Sequence, residues 1–535
     1  MIGLDHSTLK VIILYGAAIA LLTLAIPISV QSLIAVVSFG TLMQPILVIS
    51  LVLFIILAVM AGLRGAQAMV IEALQQGVFA QIAFRIVSQL PKACSDHLEY
   101  EKQRPLMNFF FETETVQKML ATLLLIGVDI ILVSLFSMIL IAFYHPFLLI
   151  FDIVLISTMS IAIVWPWKKA LYYAHEQCSY KHDVAYFLQD LLRNVLFYKF
   201  LKNSEHLMAR SDHKVVKYLA ARQSHFRQML KHIVSINVIA VLANVAMLLI
   251  GGYLVIKEQL TIGQLVASEL VVSGLLYGFV RLSGYLQGLY ELLASSRKLY
   301  SLLTLQQEAC WESLSLNRDT VLSHAKAYPE TISVINLPYM VNKSGAQQEV
   351  SFNLRPGSPL ALYHHDGIEK SKLVEQILRL RSLAGGQVMV NQVPLQDTAL
   401  SLLRDQTVFL RKPLLITGTV FDNLTLGCQD LTIDALSESL RAFGLEDVME
   451  ALEHGLDTPV SSLSHPFTVA ELCMINWLHA FLKKPKFWVL DGFLDLLRQQ
   501  ERAAVVDALK HSGALVLVTT GSESLLEMFD QKVVL

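Results

Sequence analysis

The chain has 535 residues, 54% of them hydrophobic and only 16% charged, with a mean hydropathy of +0.53. Soluble domains carry about 25% charged residues, so this composition excludes an ordinary water-soluble protein. A formal net charge of −2 gives no electrostatic footprint for nucleic acid.

The hydrophobicity is concentrated before about residue 300. Crossing a bilayer takes about 20 apolar residues. Such stretches fall at about 11–36, 44–66, 118–144, 146–167, 233–256 and 262–292, which predicts six spans. The first runs well beyond the apolar core of a signal peptide, and no small-residue cleavage site follows it, so it is read as a span.

The segments between spans alternate in charge. Residues 37–43 and 144–146 contain no Lys or Arg, and 257–261 has only Lys257 against Glu258. Residues 67–117 and 168–232 are long and rich in Lys and Arg. The positive-inside rule places both long segments, and both termini, in the cytoplasm. All five cysteines (Cys94, Cys178, Cys310, Cys428, Cys473) then face a reducing compartment, and their spacing shows no metal-ligand pattern.

The two long segments keep a helical pattern with few breakers, so the membrane helices are expected to continue far below the bilayer. The pattern breaks at Pro91–Pro105 and around Asn203, where short transverse helices could touch another domain. Three carboxylates, Asp129, Asp152 and Glu269, fall inside spans. Such groups either serve function or find hydroxyl and backbone partners on neighbouring helices.

A polar linker at about 305–330 leads into a region of different character. Strands are predicted at 332–337, 349–354, 359–363 and 387–391, a helical stretch at about 433–484, and buried strands at 487–491 and 514–520. Continuous apolar runs such as FWVLD and ALVLVTT are typical of a parallel sheet covered on both faces. Strand, loop, helix and returning strands make an α/β domain.

Within it, ALYHHDGIEKSKLVEQIL at 361–378 has the layout of a phosphate-binding loop between a strand and a helix. That loop, G-x-x-x-x-G-K-[ST], wraps phosphates with backbone N–H groups, reaches them with its lysine and holds Mg²⁺ with its hydroxyl. Gly367, Lys370 and Ser371 are present, but His364 and Glu369 stand where the two defining glycines belong. A residue other than glycine in the unusual backbone conformation costs about 1–3 kcal/mol. A carboxylate beside polyphosphate would add repulsion.

Further stretches point to one family. LTIGQLVAS (260–268), LITGTVFDNLTLG (415–427), GLDTPV (455–460) and KKPKFWVLD (483–491) resemble successive landmarks of an ABC exporter half-transporter. The likeness covers nearly the whole chain. ALLTLAIPISVQ (20–31) and DLLRNVLFYKF (190–200) are most similar to exporters of the type I secretion kind. The resemblance implies a multi-domain membrane protein: an all-α six-helix transmembrane domain at 1–304, a linker at 305–330, and an α/β P-loop-type ATP-binding-cassette domain at 331–535. It implies an inner-membrane location, dimerisation with itself or with a competent half, and ATP hydrolysis coupled to transport.

The catalytic motifs depart from the family. Arg411 falls at the glutamine-loop position. Counting back from Pro485, the signature L-S-G-G-Q becomes Phe467-Thr468-Val469-Ala470-Glu471. Asp491 keeps the Mg²⁺-associated carboxylate, but Gly492 replaces the glutamate that activates water and Thr520 the switch histidine. Tyr339 is offset from the adenine-stacking aromatic and is expected to pack on the sheet. The expected remnant site is therefore Gly367, Lys370, Ser371 and Asp491, with no catalytic residue, no structural metal, and at most weak ATP and Mg²⁺ binding. The leading expectation is a transport subunit with an impaired cassette; the alternatives are a non-transporting membrane scaffold and a divergent but active exporter.

Overall fold

The computed structural model describes every residue except 1–5, 39, 41–42, 95–105, 201–204, 309–328, 341–346, 365–366, 399, 429–430 and 462–464. The chain divides into two units, Met1–Pro91 with Glu101–Leu305, and Lys92–Tyr100 with Gln306–Leu535. The linker expected at 305–330 lies mostly outside the described residues.

The first unit is helical. Its main helices are α1 (His6–Thr23), α2 (Ala25–Ser38), α3 (Met43–Gln89), α4 (Glu112–Ala142), α5 (Pro146–Val164), α6 (Trp167–Arg193), α7 (Val195–Lys199), α8 (Glu205–Ile256) and α9 (Ile262–Leu303). Six helical segments are long and apolar enough to span a membrane. The first is interrupted at Leu24, just before Pro27 in the first turn of α2, where proline's missing N–H is tolerated.

Local chemistry sets the helix starts. Thr261 and Gln264 form a reciprocal capping box at α9, and the His145 ring accepts the Phe147 N–H at α5, with Pro146 in the first turn. The 47 residues of α3 and 52 of α8 extend about 70 and 78 Å at 1.5 Å per residue. Both far exceed a hydrocarbon core of about 30 Å. The charged segments between spans are thus continuations of the helices themselves.

Deep polar contacts tie the long helices together. The Glu112 carboxylate accepts from Lys181 Nζ at 2.5 Å and from the buried Ser295 hydroxyl at 2.5 Å, joining α4, α6 and α9. Cys178 and His182 bring donor atoms within 4.8 Å of that carboxylate, a convergence that residue spacing does not reveal. His232 Nε2 lies 3.1 Å from Tyr290 Oη, between α8 and α9. Of the carboxylates inside the spans, Asp152 is wholly buried, and neither of its oxygens has a hydrogen-bond partner among the described residues. One oxygen each of Asp129 and Glu269 is likewise unpartnered. Glu269 has a hydroxyl partner in Ser273, whereas Asp152 has no hydroxyl or backbone partner among the described residues. Of the two expected breaks, residues 95–105 and 201–204 lie outside the described residues. The short α7 is described, and it exposes Leu196, Phe197 and the following Phe200.

The second unit is α/β. A parallel five-stranded sheet has the order β9-β3-β8-β7-β6, from β3 (Leu360–Tyr363), β6 (Thr407–Leu410), β7 (Phe487–Asp491), β8 (Leu515–Thr520) and β9 (Gln531–Val534). Every residue of β7 and β8 is buried. An antiparallel sheet is built from β1 (Ile332–Met340), β2 (Gln347–Leu354), β4 (Gln387–Val390) and β5 (Val393–Pro394). Three helices matter for the site: α10 (Gly367–Ile377), α11 (Val469–Leu482) and α12 (Gln499–His511). Trp477 on α11 stacks on Trp488 of β7 at 4.7 Å, anchoring the helix to the sheet.

The helical stretch expected at 433–484 is instead broken into Ile433–Ala442, Glu446–Glu450, a 3₁₀ turn, the short strand Pro459–Val460 and α11. Gly444, at positive φ, ends the first piece, Gly455, also at positive φ, opens the 3₁₀ turn, and Pro459 and Pro466 prevent a continuous helix. Residues 92–94 group with this second unit. Cys94 N–H donates to Gln306 O at 2.8 Å, Glu308 N–H donates to Lys92 O at 2.9 Å, and the Glu308 carboxylate takes a two-bond grip from Arg404 at 2.6 and 2.9 Å.

Candidate nucleotide site

In an open parallel sheet the loops at the carboxyl ends of the strands form the natural ligand crevice. Here those ends carry His364 after β3, Arg411 after β6, Asp491 at the end of β7 and Thr520 at the end of β8. The first turns of α10 supply Lys370 and Ser371. The sheet therefore gathers Lys370, Ser371 and Asp491, although they lie up to 121 positions apart in the chain. Gly367 begins α10, next to the two loop residues outside the described set.

The centre of the cluster is Asp491, which is buried. Its Oδ2 accepts from Ser371 Oγ at 2.7 Å and from Arg411 Nε at 2.5 Å, and its Oδ1 accepts from Thr519 Oγ1 at 2.6 Å. Arg411 also donates to Glu375 Oε1 at 2.7 Å and to the Ser371 carbonyl at 3.3 Å. Glu375 follows Ser371 by one helical turn and is held on its other oxygen by Arg381 at 2.9 Å. Burial opposes the charge on Arg411, but the carboxylates of Glu375 and Asp491 outweigh it and lift its pKa above the ordinary arginine value. The guanidinium is a fixed cation between two carboxylates and beside the hydroxyl of the phosphate-loop serine.

This arrangement does not fit a magnesium ion. The two groups that would serve it, Ser371 Oγ and Asp491 Oδ2, are bonded to each other, and a full positive charge already sits on the carboxylate. A divalent cation would have to displace Arg411 against the attraction of both acids. The glutamine expected here by analogy would leave the carboxylate free to help hold a metal; arginine supplies the cation itself.

The two residues replacing glycines behave differently from expectation. Neither His364 nor Glu369 has a positive φ, so neither bears the strain that a preserved loop geometry would impose. His364 is buried and packs edge-on against Tyr339 at 6.2 Å, while Tyr339 Oη donates to Gln348 Oε1 at 2.9 Å on the neighbouring strand. Tyr339 is thus a sheet-packing residue. The Glu369 carboxylate accepts from Met340 N–H at 3.1 Å and pairs with Lys372 at 2.6 Å. Lys370 is buried rather than solvated, with its Nζ 3.5 Å from where a Cβ on Gly521 would lie.

The remaining motif positions are closed by local bonds. Gly492, at φ +64°, donates its N–H to Thr519 O and Oγ1 at 3.0 Å each. Thr520 is buried and donates to Asp495 Oδ1 at 2.7 Å. At the signature position Phe467 is buried, and Thr468 caps α11. The Glu471 carboxylate turns back to accept the Thr468 N–H at 2.8 Å, and Thr468 Oγ1 accepts the Glu471 N–H at 3.4 Å. The helix start that would donate to a γ-phosphate is capped by the chain's own side chains, one of them anionic. The T-x-x-E spacing of that box is readable in the sequence. The Arg411–Glu375 pair is signalled only by Glu375 standing four residues after Ser371 on one helix face.

No protein-family model matches the sequence. An uncharacterised ABC transporter ATP-binding protein of Bacillus subtilis is 26% identical over 169 residues, which cover 31% of this chain and 28% of the relative. A probable multidrug resistance ABC transporter ATP-binding/permease protein of the same organism is 22% identical over 287 residues, 52% of this chain and 47% of the relative. The matched region thus spans less than half the length of these curated relatives. A solved bacterial Atm1-family ABC exporter with ATP bound superposes with a TM-score of 0.84 at 16% identity, covering 98% of this chain and 92% of that one. The relatives are ABC exporter ATP-binding/permease proteins, and the chain has the fold of an ABC exporter: a six-span helical membrane domain followed by an ATP-binding-cassette domain.

Proposed function

We propose that this chain is a membrane transport subunit of the ABC exporter type whose cassette does not hydrolyse ATP and serves as a folded coupling module, working as a dimer with itself or with a competent half. The observation that carries the reading is the Arg411 bridge between Asp491 and Glu375, which fills the metal position with a protein cation. Gly492 offers no group to accept a proton from water, and the start of α11 has its Glu471 N–H taken by Thr468 and the Glu471 carboxylate folded over it, which repels a γ-phosphate. Lys370, Ser371 and Asp491 are remnants of a nucleotide site that now stabilise the domain.

The chain recovered from its native membrane is expected to show ATP hydrolysis only when a second, competent half accompanies it. Mass spectrometry of the pull-down, with phosphate release measured on the same sample, tests this. Hydrolysis by a preparation containing this chain alone would refute it. No nucleotide dependence in any recovered complex would favour the scaffold alternative instead.

The proposal includes an orientation, with both termini and the cassette in the cytoplasm of a cell whose inner membrane the chain spans. An impermeant thiol reagent applied to intact cells, in a cysteine-free background, is expected to label Ser38→Cys and Glu258→Cys but not Ser524→Cys. Labelling at Ser524→Cys would reverse the orientation.

A further inference from the structure

Between α5, α6 and α8 lies a cavity of about 650 Å³ that has no part in the nucleotide chemistry. Trp165, Lys168, Lys169 and Lys231 line it, with Thr158 and Ser235 further along α5 and α8. The three lysines are exposed, and among the described residues none has a carboxylate partner; Lys231 Nζ donates only to Gln228 Oε1, at 3.1 Å. Trp165 is 85% exposed at the end of the α5 span.

The polarity of the walls is graded along both helices in the same sense. From Trp165 back along α5 the exposed apolar residues include Val164, Ile161 and Val154, with Ser160 and Thr158 exposed between them, and from Lys231 forward along α8 they include Val234, Val238 and Leu242, with Asn237 between them. A mainly apolar surface thus leads into a cationic, partly enclosed end. Tryptophan marks the membrane–water boundary, and lysines near helix ends extend to the same level. A soluble anion would have no use for the apolar surface, and an ordinary acyl chain none for three ammoniums that lack a carboxylate partner. One ligand class uses both.

We propose that this cavity binds the headgroup of an anionic phospholipid, its phosphate held by Lys168, Lys169 and Lys231 and its acyl chains lying on the apolar faces of α5 and α8. The volume falls in the range of about 300–1,000 Å³ usual for small-ligand sites. Each lysine contributes electrostatic attraction that falls off with added salt. The site is independent of whether the cassette binds nucleotide.

The test is native mass spectrometry of the full-length chain in neutral detergent, titrated with phosphatidylglycerol or phosphatidylcholine. Phosphatidylglycerol is expected to bind at least about tenfold more tightly. The variant Lys168→Gln/Lys169→Gln/Lys231→Gln should lose that preference while unfolding at the parent temperature, and the matching Lys→Arg triple should retain it. Millimolar inorganic phosphate should not displace the bound lipid. Equal binding of the two lipids, an unchanged preference in the glutamine triple, or complete displacement by phosphate would each overturn the proposal.

Discussion

Replacing Arg411 by alanine is expected to destabilise the cassette domain by about 2–4 kcal/mol, around and somewhat below the lower end of the range of about 3–5 kcal/mol for breaking a buried ion pair. The removal strands Asp491, whose side chain is only 3% exposed, and leaves Glu375 held by Arg381 alone. The Arg411 side chain is itself 34% exposed, so water screens part of the interaction and the upper end of the range does not apply. For a domain of this size the shift in its unfolding transition is about 5–15 °C. Asp491→Asn should lessen the effect, because the stranded charge is then gone. A double-mutant cycle read by calorimetry gives the coupling directly. Additive effects would mean that Arg411 and Asp491 do not act on each other. A small loss for Arg411→Ala alone would mean that the guanidinium is ornamental.

The second large effect concerns repair. The sequence suggests that His364→Gly with Glu369→Gly would restore nucleotide binding, because Lys370, Ser371 and Asp491 remain. The geometry adds a requirement: Arg411→Gln must accompany them, since the metal position is otherwise filled. This triple variant is expected to gain magnesium-dependent binding of a fluorescent ATP analogue without gaining turnover. A missing general base costs about 10²–10⁴ in rate. Adding Gly492→Glu meets a further obstacle, because residue 492 sits at φ +64°, where a side chain costs about 1–2 kcal/mol. Even then the opposing helix start stays capped by Glu471. Phosphate release is expected to remain near background until Val469, Ala470 and Glu471 are also returned to the signature residues. Full turnover from Gly492→Glu alone would show that the site is far less altered than its geometry indicates.

Much of the architecture is legible in the sequence because its signals are strong. FWVLD and ALVLVTT are continuous apolar runs, and both become fully buried parallel strands. The six spans stand out by length and composition, though not the interruption at Leu24. The stretch 433–484 reads as helix by its apolar periodicity, yet four breakers, Gly444, Gly455, Pro459 and Pro466, divide it. At the site, the sequence shows which family residues are missing but not what the replacements do instead. Backbone strain at His364 and Glu369 would follow only if the loop kept the path of a glycine-containing phosphate loop. The loop takes another path here, and neither residue has a positive φ. Glu471 likewise reads as an obstacle to a partner's nucleotide; its actual employment is to cap its own helix. Arg411 reads as a lost glutamine, and only the fold brings it to Asp491 across 80 positions of sequence.

The most direct test of the central claim is phosphate release by the unmodified, purified full-length chain in lipid nanodiscs, with magnesium and ATP, beside its Lys370→Ala variant. The two traces are expected to coincide with each other and with the protein-free blank. Robust hydrolysis by the unmodified chain, abolished by Lys370→Ala, would contradict it.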